Sequence, residues 1–214
     1  QGLTWERFNA AAFLNSPYHH PVVGWMTDLR HLTLGDLKSW YHTWYAPNNA
    51  TVVVVGDVKA AHVFNLAKKY FGPLKAVPTT TLKPRTETPS IGLRTVEVQA
   101  PAKLPWLVMG YNVPALKTTK DQWQAYALSV LAAVLSEGES ARLSHDLVRG
   151  QRVAVDAGAS YEGLYGLHSG LLVLEGTPTA RHSVVALKAA FLKEISRLRD
   201  GWVGPAELKR VKAQ

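Results

Sequence analysis

The first third of the chain carries apolar residues at helical spacing, interrupted by turn-forming residues. Spacings of three and four predict helices over residues 3–15, 33–45 and 60–71. The second helix begins at Thr33, whose side-chain oxygen can cap the free amides of the first turn. Asp36 follows three residues later, where a carboxylate suits the positive end of the helix. The opening segment is therefore predicted to be rich in helices.

Four consecutive valines lie between the second and third predicted helices. Residues 51–55 show no alternation of apolar and polar side chains. A run of this kind is typical of a strand that is covered on both faces. Gly56-Asp57 then turns the chain, and Gly72-Pro73 ends the third helix. We therefore expect a buried strand within the helical segment.

A stretch rich in proline and threonine, residues 73–93, divides the chain and is predicted to be an extended, exposed linker. The pattern after it predicts strands, helices, strands and helices in that order: strands over 94–99 and 104–111, helices over 120–135 and within 136–148, strands over 152–163 and 168–178, and helices over 181–199 and from 204 onward. Strands that arrive in pairs around helices predict an α+β fold with an antiparallel-rich sheet covered by helices, and not a doubly wound parallel sheet.

Composition and charge restrict the class of protein. Hydrophobic residues make up 47% of the 214 residues and charged ones 19%, which suits a globular chain. No apolar run reaches the ~18 residues of a membrane span. The chain begins with Gln and shows no signal-peptide pattern, so we expect a processed product or a piece of a longer protein. The net charge of +8 is concentrated in residues 181–214; a solvated helical face is the simpler interpretation, and nucleic-acid binding is the alternative.

No side-chain constellation has the spacing of a catalytic or metal site. Cysteine is absent, which excludes thiolate zinc sites and Cys nucleophiles. The histidines do not fall one helical turn apart, as two zinc ligands on a helix must: His19 and His20 are adjacent, His31 and His42 are separated by a helix start, and His145 adjoins Asp146. His-Glu-x-x-His, its inverse and Gly-x-Ser-x-Gly do not occur. Ser140, Glu137 and Glu139 are more simply interpreted as residues of a helix start or a loop. We predict no catalytic, metal-binding or cofactor-binding residues in this chain.

Several segments, taken in order, resemble the pitrilysin or insulinase-type zinc peptidases. They are a proline-histidine loop at 17–21, Leu-Thr-x-x-Asp-Leu at 32–37, Tyr-x-Pro-Asn-Asn at 45–49, Val-Val-Val-Gly-Asp at 53–57, Tyr-Phe-Gly at 70–72 and Leu-x-x-Gly-x-Ser-x-Arg-Leu at 135–143. The resemblance covers most of the chain. It implies an α+β fold of the mitochondrial-processing-peptidase type, in which each half of the enzyme has two similar domains.

The resemblance also implies a domain division and the position of the chemistry. Residues 1–75 would be the tail of the first domain, 76–93 the linker and 94–214 most of the second domain. The zinc ligands of the family lie on an inverted His-x-x-Glu-His helix and a later glutamate, all of which would precede Gln1. Zinc is thus implied for the parent enzyme and no cofactor for this chain. In the partner half of the family, an Arg and a Tyr hold the substrate. The matching positions here are Val148 and Val155, or Arg149 and Asp156 if the alignment is shifted by one residue. Neither pair supplies the tyrosine.

These observations favour a non-catalytic structural and substrate-enclosing domain of a pitrilysin-like zinc metalloendopeptidase, inactive by itself. Its expected partners are the remainder of the same polypeptide with the zinc-binding helix, or a homologous half or subunit, and peptide substrates. No membrane partner is expected, and nucleic acid is disfavoured. One alternative is the inactive subunit of a heterodimeric peptidase of the same family, and another is a basic nucleic-acid-binding domain. The resemblance implies the bacterial periplasm as the location.

Overall fold

The computed structural model describes residues 1–78, 80–90, 92–166, 168 and 170–213. The chain forms two units, which we call the sheet unit, Gln1–Val22 with Arg85–Gln214, and the helical unit, Val23–Pro84. The α-helices of the described residues are α1 (Gly2–Ala12), α2 (Met26–His31), α3 (Leu34–Trp44), α4 (Ala60–Phe71), α5 (Trp123–Ser136), α6 (Val184–Asp200) and α7 (Pro205–Ala213). A π-helix spans Leu143–Gly150, and short 3-10 turns lie at Pro17–His19 and Pro47–Asn49.

The sheet unit is built on three antiparallel strands, β1 (Leu107–Val113), β2 (Ala154–Tyr161) and β3 (Gly170–Pro178), in the order β1-β3-β2. The central strand, β3, is buried at residues 170–174, as its continuous apolar sequence predicts. Leu174 faces Met109 of β1 and Ala159 of β2 in the register. The predicted α+β fold with an antiparallel sheet and helices is confirmed.

The larger core lies on the face of the sheet to which Leu174 points. Residues from α5, the π-helix and α6 pack there, and the largest of them are Leu135, Leu143, Leu147, Leu187 and Phe191. Each of these leucine and phenylalanine side chains contributes about 1.5–3 kcal/mol when it is fully buried. The helical stripes predicted over 120–135 and 181–199 therefore correspond to α5 and α6, which begin about three residues later than predicted. In α6 the Ser183 side chain caps the start by accepting from the Ala186 amide.

The opposite face of the sheet carries helix α1. Leu171 and Val173 alternate with Leu174 along β3, so they point to this second face. They form a smaller core with Phe13, against which Phe8 of α1 packs. The ring of Phe8 lies over Gly110 of β1, where a Cβ atom would collide with it. The glycine at this position is therefore required by the close approach of the helix to the sheet.

The helical unit contains α2, α3 and α4. The predicted cap of α3 is confirmed, because the Thr33 side chain accepts from the Asp36 amide while the Asp36 carboxylate accepts from the Thr33 amide at 2.8 Å. Helix α4 has the predicted bounds. Helix α2 was not predicted, although Asp28 in its first turn and Arg30 in its last turn match the helix dipole.

Two predicted strands are wrong. Residues 51–55 and 94–99 form neither helix nor strand, and neither segment belongs to a sheet within the part of the chain that the structure describes. A strand is completed by hydrogen bonds to a neighbouring strand, and an apolar sequence specifies burial without supplying that neighbour. The other strand predictions are confirmed with shifted ends, 104–111 as β1, 152–163 as β2 and 168–178 as β3.

Candidate functional site

The histidines singled out in the sequence do not converge. The His19 and His20 rings contact each other at 4.6 Å between centroids, and His19 Nδ1 donates to the Ser16 carbonyl at 2.8 Å. His31 Nδ1 likewise donates to the Thr27 carbonyl within its own helix. Across the described ranges, no group of three or more His, Cys, Asp or Glu side chains could hold a metal ion. The loop histidines therefore have a local structural role in this fold.

Charged side chains instead gather around the π-helix. Arg197 Nη1 of α6 donates to Asp146 Oδ2 at 2.5 Å and to Glu194 Oε2 at 2.9 Å. Glu194 is fully buried, and His145 Nδ1 lies 2.6 Å from the other oxygen of Asp146. Burial raises the pKa of Asp146, but the hydrogen bonds from His145 and Arg197 outweigh it, so the pKa lies below its usual value. These carboxylates are neutralised by their partners, which suits a structural network and not a general base.

A second ion pair ties α7 to the start of the π-helix. Arg142 donates from Nε to Glu207 Oε1 at 2.9 Å and from Nη2 to Glu207 Oε2 at 2.7 Å. The hydrogen bond with Glu207 raises the pKa of Arg142, and the hydrogen bond from Arg142 lowers the pKa of Glu207. Bidentate pairing of this kind fixes orientation as well as charge. No local pattern predicts this pair, since the two residues are 65 positions apart.

The positions that match the substrate-holding residues of the resembled family are dispersed. Val148 packs against the larger core, and Val155 is 54% exposed on β2. Arg149 donates to the Glu139 carbonyl in the preceding loop. Asp156 is exposed opposite Thr177 of β3, at an irregularity in the strand pairing. Neither pair forms a clamp of an Arg and a Tyr.

An open groove of about 350 Å³ lies between α5 and β2. It is lined by small and polar side chains, namely Ser129, Ala132, Ala133, Ser136, Glu137, Ala159 and Tyr161. The Tyr161 hydroxyl donates to the Pro114 carbonyl at 2.6 Å, and burial raises its pKa. Ser140, the serine singled out in the sequence, is exposed in the turn before the π-helix. The groove offers hydrogen-bonding surface, and no described histidine lines it as a base for its serines.

The surface of the helical unit is the most unusual feature of the described residues. Val52, Val53, Val54 and Val55 are 63%, 76%, 48% and 92% exposed. The stacked rings of Tyr41 and Tyr45, 4.7 Å apart, are exposed as well. Ala46 is the one buried apolar residue among those described in this unit. We call these exposed valines and tyrosines the apolar surface. Because its large apolar side chains are exposed, the helical unit has no hydrophobic core of its own among the described residues.

Comparisons with known proteins supply the remaining findings. Residues 31–214 match the family model described as peptidase M16 inactive domain. The chain is 36% identical over 217 residues to the zinc protease PqqE of Helicobacter pylori, with 99% of the chain and 47% of that protein covered.

Solved structures show the same fold. A protease from Helicobacter pylori superposes with a TM-score of 0.86 at 32% identity, over 99% of this chain and 51% of that one. The peptidase M16 inactive domain from Pseudomonas fluorescens superposes with a TM-score of 0.74 at 19% identity, over 99% and 49%. The chain thus spans about half, or less, of the length of the curated relatives that it matches. No helix within the described residues is long and apolar enough to cross a membrane.

Proposed function

Because the chain belongs to the M16 peptidase family and matches its inactive domain, we propose that it is the structural and substrate-enclosing part of a zinc metalloendopeptidase. The catalytic zinc is held by the remainder of the polypeptide, on a helix with the inverted motif His-x-x-Glu-His. The observation that carries this proposal is the apolar surface of the helical unit, together with the half-length match to a zinc protease. A unit whose apolar side chains are exposed is one part of a larger core.

The partner of the apolar surface is the remainder of the same polypeptide. Each valine of the run adds about 1.5–3 kcal/mol when it becomes fully buried. Residues 51–55 belong to no helix or strand in the described part of the chain, so a neighbouring strand from the remainder can pair with them. In this proposal residues 1–75 are the tail of the first domain, 76–93 the linker and 94–214 most of the second domain.

A structural role for the chain also explains the ion pairs of the sheet unit. Its buried acids are neutralised by arginines, as in Glu194 with Arg197, so they supply structure and not catalysis. The comparisons do not favour the two alternatives, an inactive subunit of a heterodimer and a nucleic-acid-binding domain. The bacterial periplasm remains the proposed location, and extended peptides the proposed substrate.

The test is reconstitution. The chain is expressed alone and together with the preceding half of its polypeptide, and zinc content and peptide hydrolysis are measured for both. We expect less than stoichiometric zinc and no hydrolysis from the chain alone, and a stable complex with one zinc and peptidase activity from the pair. One tightly bound zinc and peptide cleavage by the chain alone would refute the proposal. Loss of the His-x-x-Glu-His motif in the preceding sequence would instead indicate the inactive subunit.

A further inference from the structure

The chain crosses between its two units twice, after Val22 and after Pro84. Near these crossings, Glu87 contacts the segment that precedes the first one. Its Oε1 accepts from the Leu14 amide at 2.9 Å, and its Oε2 accepts from the Asn15 amide at 3.0 Å and the Ser16 amide at 2.8 Å. We call residues 14–16 with Glu87 the neck. Three consecutive amides that converge on one carboxylate form an anion-binding nest, here filled by a side chain 71 residues away from Ser16.

Further bonds hold the same region. The Arg94 guanidinium donates to the Ala11 carbonyl at 2.6 Å, and Asn112 Nδ2 donates to the Ala12 carbonyl at 3.1 Å. These donors satisfy carbonyls at the end of α1 that no intrahelical amide can reach. The Ser16 side chain is buried. The end of α1 is thus bonded to Arg94 and Asn112, and the segment that follows it is bonded to Glu87 of the predicted linker.

We propose that Glu87 is a clamp that holds the segment before the first crossing to the segment after the second, so that the neck opens only when its three amide contacts break. Charge-assisted hydrogen bonds are stronger than neutral ones, and the nest provides three to a single carboxylate. No other carboxylate contacts the Leu14, Asn15 and Ser16 amides in the described part of the chain. The clamp is independent of the proposed zinc peptidase role, since it concerns the sheet unit alone.

The first experiment compares Glu87→Gln with Glu97→Gln, which changes an exposed carboxylate in the same stretch. Hydrogen exchange of the Leu14, Asn15 and Ser16 amides is followed at pH 7 in the full chain. We expect about tenfold or faster exchange in Glu87→Gln, because the neutral amide replaces charge-assisted contacts, and no change in Glu97→Gln. Equal exchange in wild type and Glu87→Gln would overturn the proposal.

The rate of trypsin cleavage after Arg85 measures how readily the neck opens. The cleavage rate of each folded protein is divided by that of the same protein unfolded in urea, which corrects for the altered residue beside the cleaved bond. We expect the ratio to rise several-fold in Glu87→Gln relative to cleavage after Lys75, and to stay at the wild-type value in Glu97→Gln. A ratio that does not change would show that the neck opens without breaking the clamp, which overturns the proposal.

A wild-type measurement decides the question if Glu87→Gln fails to fold. The chemical shifts of the Leu14, Asn15 and Ser16 amides are recorded while the pH is lowered. Because one carboxylate accepts from all three, we expect the three amides to shift together along one titration curve. Separate curves, or amides that do not shift, would overturn the assignment of Glu87 as the clamp.

Discussion

The Arg142–Glu207 pair provides the sharpest test of how the sheet unit is held together. We consider Arg142→Gln, Glu207→Gln and the double variant. The side chains are 18% and 22% exposed, and two hydrogen bonds of 2.9 and 2.7 Å join them. Each single change leaves a largely buried charge without its partner, whereas the double variant leaves neither charge.

The expected magnitude follows from this geometry. A hydrogen bond to a charged group contributes about 1.5–3 kcal/mol, so either single variant should lose roughly 2–4 kcal/mol of the free energy that holds α7 in place. The double variant should lose much less than the sum of the two, with a coupling energy of about 1–3 kcal/mol. Val211, the buried residue of α7, is not altered by any of the three substitutions.

Native-state hydrogen exchange of the α7 amides measures these losses directly, because the opening of one helix is resolved from global unfolding. The control is the Arg199–Asp200 pair, which has a similar 2.8 Å contact but exposed side chains. Arg199→Gln and Asp200→Asn should show no measurable coupling, since solvent screens exposed pairs. If the stability losses of the Arg142 and Glu207 single variants simply added up in the double variant, as expected for the control pair, the argument that burial makes this ion pair strong would be refuted.

Three further predictions follow from the same structure. The pKa of Glu207 is lowered by its hydrogen bond from Arg142. Its contribution to the free energy of unfolding is therefore present above the usual pKa of 4.5 and is lost as the pH falls through the lowered pKa. The stability difference between wild type and Glu207→Gln, measured by urea titration, should shrink below pH 4.5. Gly110→Ala should lower the stability of the sheet unit by roughly 1–3 kcal/mol, because the new methyl group displaces the Phe8 ring; Gly2→Ala, which meets no neighbour, is the matched control. Val53→Asp should weaken association with the remainder of the polypeptide at least tenfold in co-purification, whereas Asp57→Asn, a polar change nearby, should not.

Local patterns predicted most of the helices and the three strands of the sheet, because their signals lie within a few residues. The capping pair of Thr33 and Asp36 and the stripe of α4 are confirmed by the structure. The strand predicted over 168–178 is confirmed as β3, whose residues 170–174 are buried. Such elements could be predicted because their partners, helices and adjacent strands, lie within the same 214 residues.

Long-range polar contacts could not be predicted in this way. Glu87 contacts amides 71 to 73 positions away, and Arg142 finds Glu207 only when α7 packs beside the π-helix. Spacing in sequence carries no signal for contacts that depend on the tertiary fold. Catalytic motifs differ from such long-range contacts, because a motif such as His-x-x-Glu-His would have been visible as a local pattern.

The wrong strand at 51–55 is the most informative of the differences. Its sequence encodes burial on both faces, yet its valines are exposed in this chain. Under the proposed function, the remainder of the polypeptide supplies the cover that this pattern requires. The exposure of a valine run whose sequence is typical of a buried strand therefore supports the same proposal as the half-length match to a zinc protease. Under the proposed function, binding of the remainder of the polypeptide should place residues 51–55 in a paired strand. Slow hydrogen exchange of their amides in the complex, and fast exchange in the chain alone, would establish this.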